Sequence, residues 1–99
     1  MKYQIEILKL AQKEINKLTK LQQNALAQDL KIIETKGIEF VKRRHLIDGI
    51  FEIKTNDVRA LFKYEENQII LIGLVYEKKT KKAPVHLVEL AKKRLEQQY

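Results

Sequence analysis

The first part of the chain changes from an alternating to a helical repeat of hydrophobic positions. Tyr3, Ile5 and Ile7 alternate with polar residues, which predicts a short β-strand. From there the apolar residues fall three or four positions apart, as on one face of a helix. They are Ile7, Leu8, Ala11, Ile15 and Leu18. The alternating segment could also form one more turn of this helix, so the pattern leaves both structures open.

A second helix is predicted between Thr19 and Gly37. Thr19 and Gln22 have the spacing of a capping box, in which the hydroxyl accepts from the Gln22 backbone N–H and the Gln22 side chain returns to the cap. An apolar stripe follows at Leu21, Ala25, Leu26, Leu30 and Ile33. Gly37 is a natural stop just past the last turn. Residues 8–36 therefore predict a helical hairpin, which needs a sheet to cover its apolar stripes.

The second half of the chain predicts a β-meander. Residues 38–45 show no clear repeat and are expected to form a loop, after which strand character runs from Leu46 to Thr55. A second strand is expected over residues 58–64, with alternating hydrophobic positions. A third, over residues 68–76, is apolar on both faces, as in a central strand. The turns between them are predicted at Asn56-Asp57 and Glu65-Glu66-Asn67.

A C-terminal helix completes the predicted architecture. Pro84 stands at a favoured first-turn position, and Leu87, Val88, Ala91 and Leu95 form an apolar face. The order strand, helix, helix, three strands, helix predicts one α+β domain over residues 1–99. Its antiparallel sheet would hold the meander, with the N-terminal strand added at an edge. We expect Phe51 and Phe62 to pack together under the helical hairpin.

The composition excludes several classes of site. The 99 residues contain 20 Lys and Arg against 13 Asp and Glu, a net charge of +7, and no cysteine. A thiolate zinc site, a disulfide and a thiol nucleophile are therefore excluded, and the two histidines lie too far apart in sequence to suggest a metal site. The longest apolar run, residues 69–76, is far shorter than the roughly 20 residues that cross a bilayer. No signal peptide is evident, so we expect a cytoplasmic protein without metal, small-molecule cofactor or membrane partner.

Most of the positive charge lies in residues 76–94. Seven basic residues stand there against two acidic ones, a net +5 of the total +7. Such a run is often only a solvated surface, but Lys78–Lys82 directly follows the most buried predicted strand. Lys54, Arg59 and Lys63 lie on the neighbouring strands. We predict that these side chains form a positive concavity that binds a nucleic-acid backbone.

Three segments resemble the RelE/ParE toxin superfamily, and in particular its phage-derived HigB-like branch. Residues 46–54, LIDGIFEIK, resemble its "L-x-x-G-L-Y-E-L-R" stretch, and residues 59–64, RALFKY, resemble its "R-V-L-Y" strand. Residues 70–84 end in KKTKKAP and resemble its "L-L-h-x-F-x-K-K-T-x-K-T-P" ending, the most specific of the three. The final helix is also similar, at Glu89, Ala91 and Arg94.

The resemblance implies a fold, an activity and partners. The fold would be the small RelE-like α+β domain. The activity would be that of the toxin in a type II toxin–antitoxin pair, an endoribonuclease that cleaves mRNA on the ribosome. Cleavage would need no metal, because the 2′-OH of the substrate attacks the adjacent phosphate. The implied partners are the ribosome, mRNA and a cognate antitoxin with a helix-turn-helix domain.

The resemblance and the charge pattern together nominate site residues. We expect Arg59, Lys54 and Lys82 to form the catalytic set, because cations stabilise the charge that develops on the phosphate. We expect RNA contacts from Lys78, Lys79, Lys63, Lys92 and Tyr99. The chain departs from the family pattern at three positions: Lys54 replaces Arg, Tyr76 replaces Phe and Ala83 replaces Thr.

Alternative functions stay open at this point. A toxin of the ParE kind shares the fold but inhibits DNA gyrase without cleaving nucleic acid. A non-toxic phage-derived module could bind nucleic acid only. Arg59 could also pair with Glu52 across the strands, and this contact is compatible with a role in phosphate binding.

Overall fold

The computed structural model describes residues 2–79, 81 and 84–97 of the chain. One five-stranded sheet lies between a pair of helices on one face and a single helix on the other. The elements are β1 (Gln4–Ile7), α1 (Lys9–Asn16), α2 (Lys20–Thr35), a 3₁₀ turn (Ile38–Phe40), β2 (Arg43–Ile47), β3 (Ile50–Thr55), β4 (Val58–Glu65), β5 (Ile69–Glu77) and α3 (Val85–Gln97). This arrangement confirms the predicted α+β class.

The N-terminal segment forms a strand rather than a further helical turn. β1 pairs in parallel with β5, from Gln4 opposite Ile69 to Ile7 opposite Ile72, and lies at one edge of the sheet.

The capping box predicted at the start of the second helix is also present. The Gln22 backbone N–H donates to Thr19 Oγ1 at 3.1 Å, and the Thr19 backbone N–H donates to Gln22 Oε1 at 2.9 Å. The helical hairpin is therefore confirmed.

The predicted loop over residues 38–45 is wrong only in its last three residues, because a strand begins at Arg43. Arg43–Ile47 form β2, the other edge strand, which pairs antiparallel with β3. The predicted strand Leu46–Thr55 is consequently divided by a turn at Asp48 (φ 50°) and Gly49 (φ 77°). An Asp-Gly pair is a strong two-residue hairpin signal, because both central residues of that turn need positive φ. Because this turn makes Arg43–Ile47 a separate strand, the sheet has five strands instead of the predicted four.

The two faces of the sheet carry two separate cores. The first lies under α1 and α2, where the Phe51 and Phe62 rings stack with centroids 5.7 Å apart, as predicted. The second lies under α3, where Leu61 and Leu74 contact the apolar face of that helix. β5 contributes to both cores, which explains its apolar character on both faces.

A β-bulge at Gly73 is contacted by side chains from the helices on both faces of the sheet. The pairing of β4 and β5 shifts there, because Leu61 faces Leu74 whereas Phe62 faces Ile72. Arg94 Nη1 donates to the Gly73 carbonyl at 3.1 Å, and the Val75 N–H donates to Glu14 Oε1 at 3.0 Å. A side chain at Gly73 would meet Leu95, since an added Cβ would lie 2.6 Å from its Cγ. The glycine therefore lets α3 approach the sheet.

None of the helices in the described part of the chain combines the length and the apolar character that a membrane crossing requires.

Candidate nucleic-acid interface

Two of the predicted site residues, Lys54 and Arg59, form a row with Tyr76 across one end of the sheet. Lys54 on β3 lies opposite Arg59 on β4, and Arg59 lies opposite Tyr76 on β5. Strand alternation places all three on the face that α3 covers. They lie next to the β3–β4 turn, past the apolar residues of the sheet that pack against α3.

The Arg59 side chain is held by backbone carbonyl groups at the start of its own strand, β4. Its Nη1 atom donates to the carbonyl oxygens of Asn56 at 2.6 Å and Val58 at 3.0 Å. Its Nε atom lies 3.9 Å from Glu52 Oε1, so the expected cross-strand contact is present. The side chain is only 14% exposed. No described residue accepts a hydrogen bond from Nη2.

Glu52 is the buried anion of this cluster. It lies opposite Arg44 on β2, with Oε2 2.8 Å from Arg44 Nη2, and its side chain is 1% exposed. Neither carboxylate oxygen accepts a well-directed hydrogen bond from the described residues. Burial of a carboxylate is costly unless cations compensate it, and here two guanidinium groups do so. The carboxylate thus holds Arg44 and Arg59 on the same side of the sheet.

The sequence analysis does not include Arg44 among the site residues and gives Tyr76 only as a departure from the family pattern. Arg44 fell within the segment predicted as a loop, so its pairing with Glu52 was not foreseen. Burial raises the pKa of the Tyr76 hydroxyl, and the charge of Glu52 raises it further, while Arg59 and Arg44 oppose the shift. Tyr76 therefore keeps its proton at neutral pH and can donate it. A glutamate inside the apolar strand β3 was the available signal for the cluster.

The first two lysines after β5 lie at the same end of the sheet. The Lys78 backbone N–H donates to the Asp57 carbonyl at 2.7 Å, which ties the start of this segment to the β3–β4 turn. Gln22 reinforces the junction, since its Nε2 lies 2.9 Å from Glu77 Oε2 and 3.2 Å from Asp57 Oδ2. Lys79 has a side chain 79% exposed, with Nζ 3.8 Å from Glu77 Oε1.

The structure does not bring Lys63 and Lys92 into this cluster. Lys63 lies four residues along β4 from Arg59, about 13 Å away, and its Nζ is 3.6 Å from Glu65 Oε2. Lys92 is paired with Asp48 at 2.9 Å, in the turn at the opposite end of β3 from Lys54. That hydrogen bond raises the pKa of Lys92. The cluster therefore contains fewer of the predicted basic residues than expected.

Two further candidates, Lys82 and Tyr99, lie outside the described residues.

Comparison with known protein families identifies the family of this chain. Residues 13–96 match the family described as "Phage derived protein Gp49-like (DUF891)". The chain belongs to this family. Gp49-like proteins are RelE-like toxins, so the resemblance drawn from three segments of the sequence is confirmed. No curated protein sequence matches the chain.

Solved structures share the fold of this Gp49-like protein at low sequence identity. The archaeal RelE–RelB complex from Pyrococcus horikoshii OT3 gives a TM-score of 0.69 at 18% identity, covering 84% of this chain and 100% of that chain. The RelBE2 toxin–antitoxin complex from Mycobacterium tuberculosis gives 0.67 at 16%, covering 79% and 93%. A double arginine-to-alanine mutant of Escherichia coli RelE in the free state gives 0.66 at 22%, covering 95% and 98%. The fold is that of the RelE toxins.

Proposed function

We propose that this Gp49-like protein is the toxin of a type II toxin–antitoxin pair and cleaves mRNA on the ribosome. The observation that carries the proposal is the anchored Arg59 opposite Lys54, whose Nη2 donates to none of the described residues. Family membership and the RelE fold support it. The activity belongs to the cytoplasm, where translating ribosomes are found.

The cluster supplies charge stabilisation for metal-free cleavage. The substrate 2′-OH attacks the adjacent phosphate as its proton passes to water, the bond from phosphorus to the 5′-oxygen breaks, and negative charge develops on the phosphate oxygens. Arg59 and Lys54 stabilise that charge, and Arg59 does so from a prearranged position, which avoids reorganisation during the reaction. Glu52 acts as a positioning residue, because it holds the Arg59 guanidinium without contacting the substrate.

Tyr76 supplies a proton donor. Its pKa is raised by burial and by Glu52, so the hydroxyl is protonated under cellular conditions. It lies opposite Arg59 and can donate to the 5′-oxygen that leaves when the P–O bond breaks. This position departs from the phenylalanine of the family pattern, so the donor would be a feature of this chain.

Binding of the RNA backbone is assigned to the lysines that follow β5. Lys78 and Lys79 stand at the same end of the sheet as Arg59 and would contact neighbouring phosphates. Lys82 and Tyr99 remain predicted members of the site. Lys63 and Lys92 lie away from the cluster, so any RNA contact they make would be a separate one.

A cognate antitoxin is the expected protein partner. The Pyrococcus and Mycobacterium structures are complexes of a toxin with its antitoxin. In this protein an acidic antitoxin segment would complement the net charge of +7 and cover the basic cluster. A helix-turn-helix domain in that antitoxin remains a prediction.

Controlled expression in bacteria, with mapping of mRNA 5′ ends, tests the proposal. The wild-type protein should stop growth and cut mRNAs within translated regions, whereas Arg59→Ala should do neither. Lys13→Ala is the matched control, because Lys13 is an exposed cation on α1, on the other face of the sheet. Growth arrest with intact mRNA would contradict the proposal, and a gyrase supercoiling assay would then test the ParE-like alternative. Normal growth would favour the non-toxic binding module.

A further inference from the structure

A cavity of about 510 Å³ opens beside the catalytic candidates. It lies between α2, the 3₁₀ turn and the β3–β4 turn, and Lys54 and Arg59 form part of its wall. Its volume lies within the range of small-molecule sites. A phosphate bound to Arg59 and Lys54 would therefore place the attached nucleoside at the mouth of this cavity.

Phe40 supplies an exposed aromatic ring at this cavity. It is 62% exposed, although Ile38 and Val41 on either side of it are buried in the first core. The buried neighbours fix the turn that presents the ring. Exposed aromatic rings beside basic side chains are the usual stacking platforms for unpaired bases in single-stranded RNA.

Asp29 supplies a fixed hydrogen-bond acceptor in the same wall. Its Oδ2 accepts a hydrogen bond from the hydroxyl of Thr55, which is 5% exposed. The other oxygen, Oδ1, has no hydrogen-bond partner among the described residues. A carboxylate accepts hydrogen bonds only, so it favours a base edge that carries an amino group. It disfavours uracil, whose single N–H is flanked by two carbonyl oxygens.

We propose that this cavity is the subsite for an unpaired nucleobase with an exocyclic amino group. The base stacks on Phe40 and donates to Asp29, while its phosphate is bound by Arg59 and Lys54. The proposal rests on the proposed function, because it takes the ligand to be substrate RNA. It goes further by assigning the sequence preference of cleavage to Phe40 and Asp29.

Binding of trinucleotides tests the subsite directly. 2′-O-methyl trinucleotides of cytidine, adenosine and uridine cannot be cleaved by 2′-OH attack, and their affinities can be measured by NMR titration of the full chain. The wild-type protein should bind the cytidine or adenosine trimer several-fold more tightly than the uridine trimer. Phe40→Ala should weaken binding roughly tenfold or more, by loss of base stacking. Asp29→Asn retains an acceptor for Thr55 but should remove the preference for amino-bearing bases.

Leu21→Ala is the matched control. Leu21 is 82% exposed and does not line the cavity, so its loss should leave trinucleotide binding unchanged. Equal affinities for the three trimers, or unchanged binding by Phe40→Ala, would overturn the inference. So would a Phe40→Ala variant that binds RNA normally but loses affinity for the antitoxin, because the cavity would then be a protein-docking site.

Cleavage mapping separates this inference from the proposed function. Phe40→Ala should redistribute cleavage sites among codons, whereas Arg59→Ala should abolish cleavage at every site. A wild-type protein that leaves mRNA intact but retains the trinucleotide preference would refute the proposed function and uphold the subsite. An unchanged cleavage pattern in Phe40→Ala would refute the subsite and leave the proposed function standing.

Discussion

The Nε atom of Arg59 lies 3.9 Å from Oε1 of Glu52, a diagonal contact between β4 and β3. Glu52 also lies 2.8 Å from Arg44 on β2, so one buried carboxylate links three neighbouring strands. An arginine held in this way keeps its guanidinium in place before any substrate arrives. The predicted contact between Arg59 and Glu52 is therefore compatible with the proposed role of Arg59, because it would hold the guanidinium in position.

Replacing the buried carboxylate should cost stability. Glu52→Gln leaves the charges of Arg44 and Arg59 uncompensated, and we expect the free energy of unfolding to fall by about 1–3 kcal/mol. Urea denaturation measures this change. Glu66→Gln, in the exposed turn after β4, is the control and should have no effect. Equal stabilities for Glu52→Gln and the wild type would show that Glu52 does not anchor the cluster.

The tyrosines should make stability fall in alkaline solution. The folded-state pKa of Tyr76 is raised by burial and by Glu52, so the unfolded chain loses this proton first, near pH 10. Between that pH and the higher folded-state pKa, the folded state binds more protons, and the free energy of unfolding decreases as the pH rises. Below pH 10 the contribution is fully present.

Phenolate absorbance follows the ionisation of the tyrosines on which this prediction depends. Tyr76→Phe should remove one late-titrating group and reduce the loss of stability above pH 10. Tyr64→Phe should remove another, because burial and the neighbouring Tyr3 also raise the pKa of Tyr64. A wild-type titration with every phenol ionising at the ordinary tyrosine pKa would contradict the structure.

The link between the two helical layers should be a major source of stability. Arg94 donates from both terminal nitrogens to the two carboxylate oxygens of Glu14, at 3.0 and 3.2 Å, and also contacts the bulge carbonyl of Gly73. Arg94→Ala removes all three contacts and should lower the free energy of unfolding by about 2–4 kcal/mol. Arg94→Lys should recover only part, because an ammonium group lacks the paired geometry.

Lys93→Ala is the control for this prediction, since Lys93 is the exposed neighbour of Arg94 on α3. Thermal and urea unfolding should both rank the variants Lys93→Ala, Arg94→Lys and Arg94→Ala in decreasing stability. An Arg94→Ala protein as stable as the Lys93→Ala protein would show that the bulge needs no such bridge.

The helices and strands that depend on short-range sequence patterns could be predicted. The capping box at Thr19, the apolar stripes and the alternation in β4 each depend on residues close together in the chain. β2 was missed because its exposed, charged residues show no alternation, although the Asp48-Gly49 pair marked the hairpin. Edge strands need no regular apolar pattern, since only part of each side chain is covered.

The site was only partly predictable, for a different reason. Arg59 and Lys54 stand out by residue type and resemblance, and their pairing follows from the predicted hairpin. The compensation of Glu52 by Arg44 depends on the register of β2 and β3, and the pairing of Lys92 with Asp48 depends on the path of α3. Neither quantity is encoded in a local pattern, so only the folded chain shows them.

The most direct test of the account is the rate of mRNA cleavage on purified ribosomes programmed with a defined message. At saturating protein, Arg59→Ala should cleave about 10²–10³-fold more slowly than the wild type, the usual effect of losing one prearranged charge-stabilising group. Arg59→Lys should fall between them, Lys13→Ala should match the wild type, and the 5′ fragment should end in a 2′,3′-cyclic phosphate. Wild-type cleavage by a folded Arg59→Ala protein, or no cleavage by the wild type, would contradict the account.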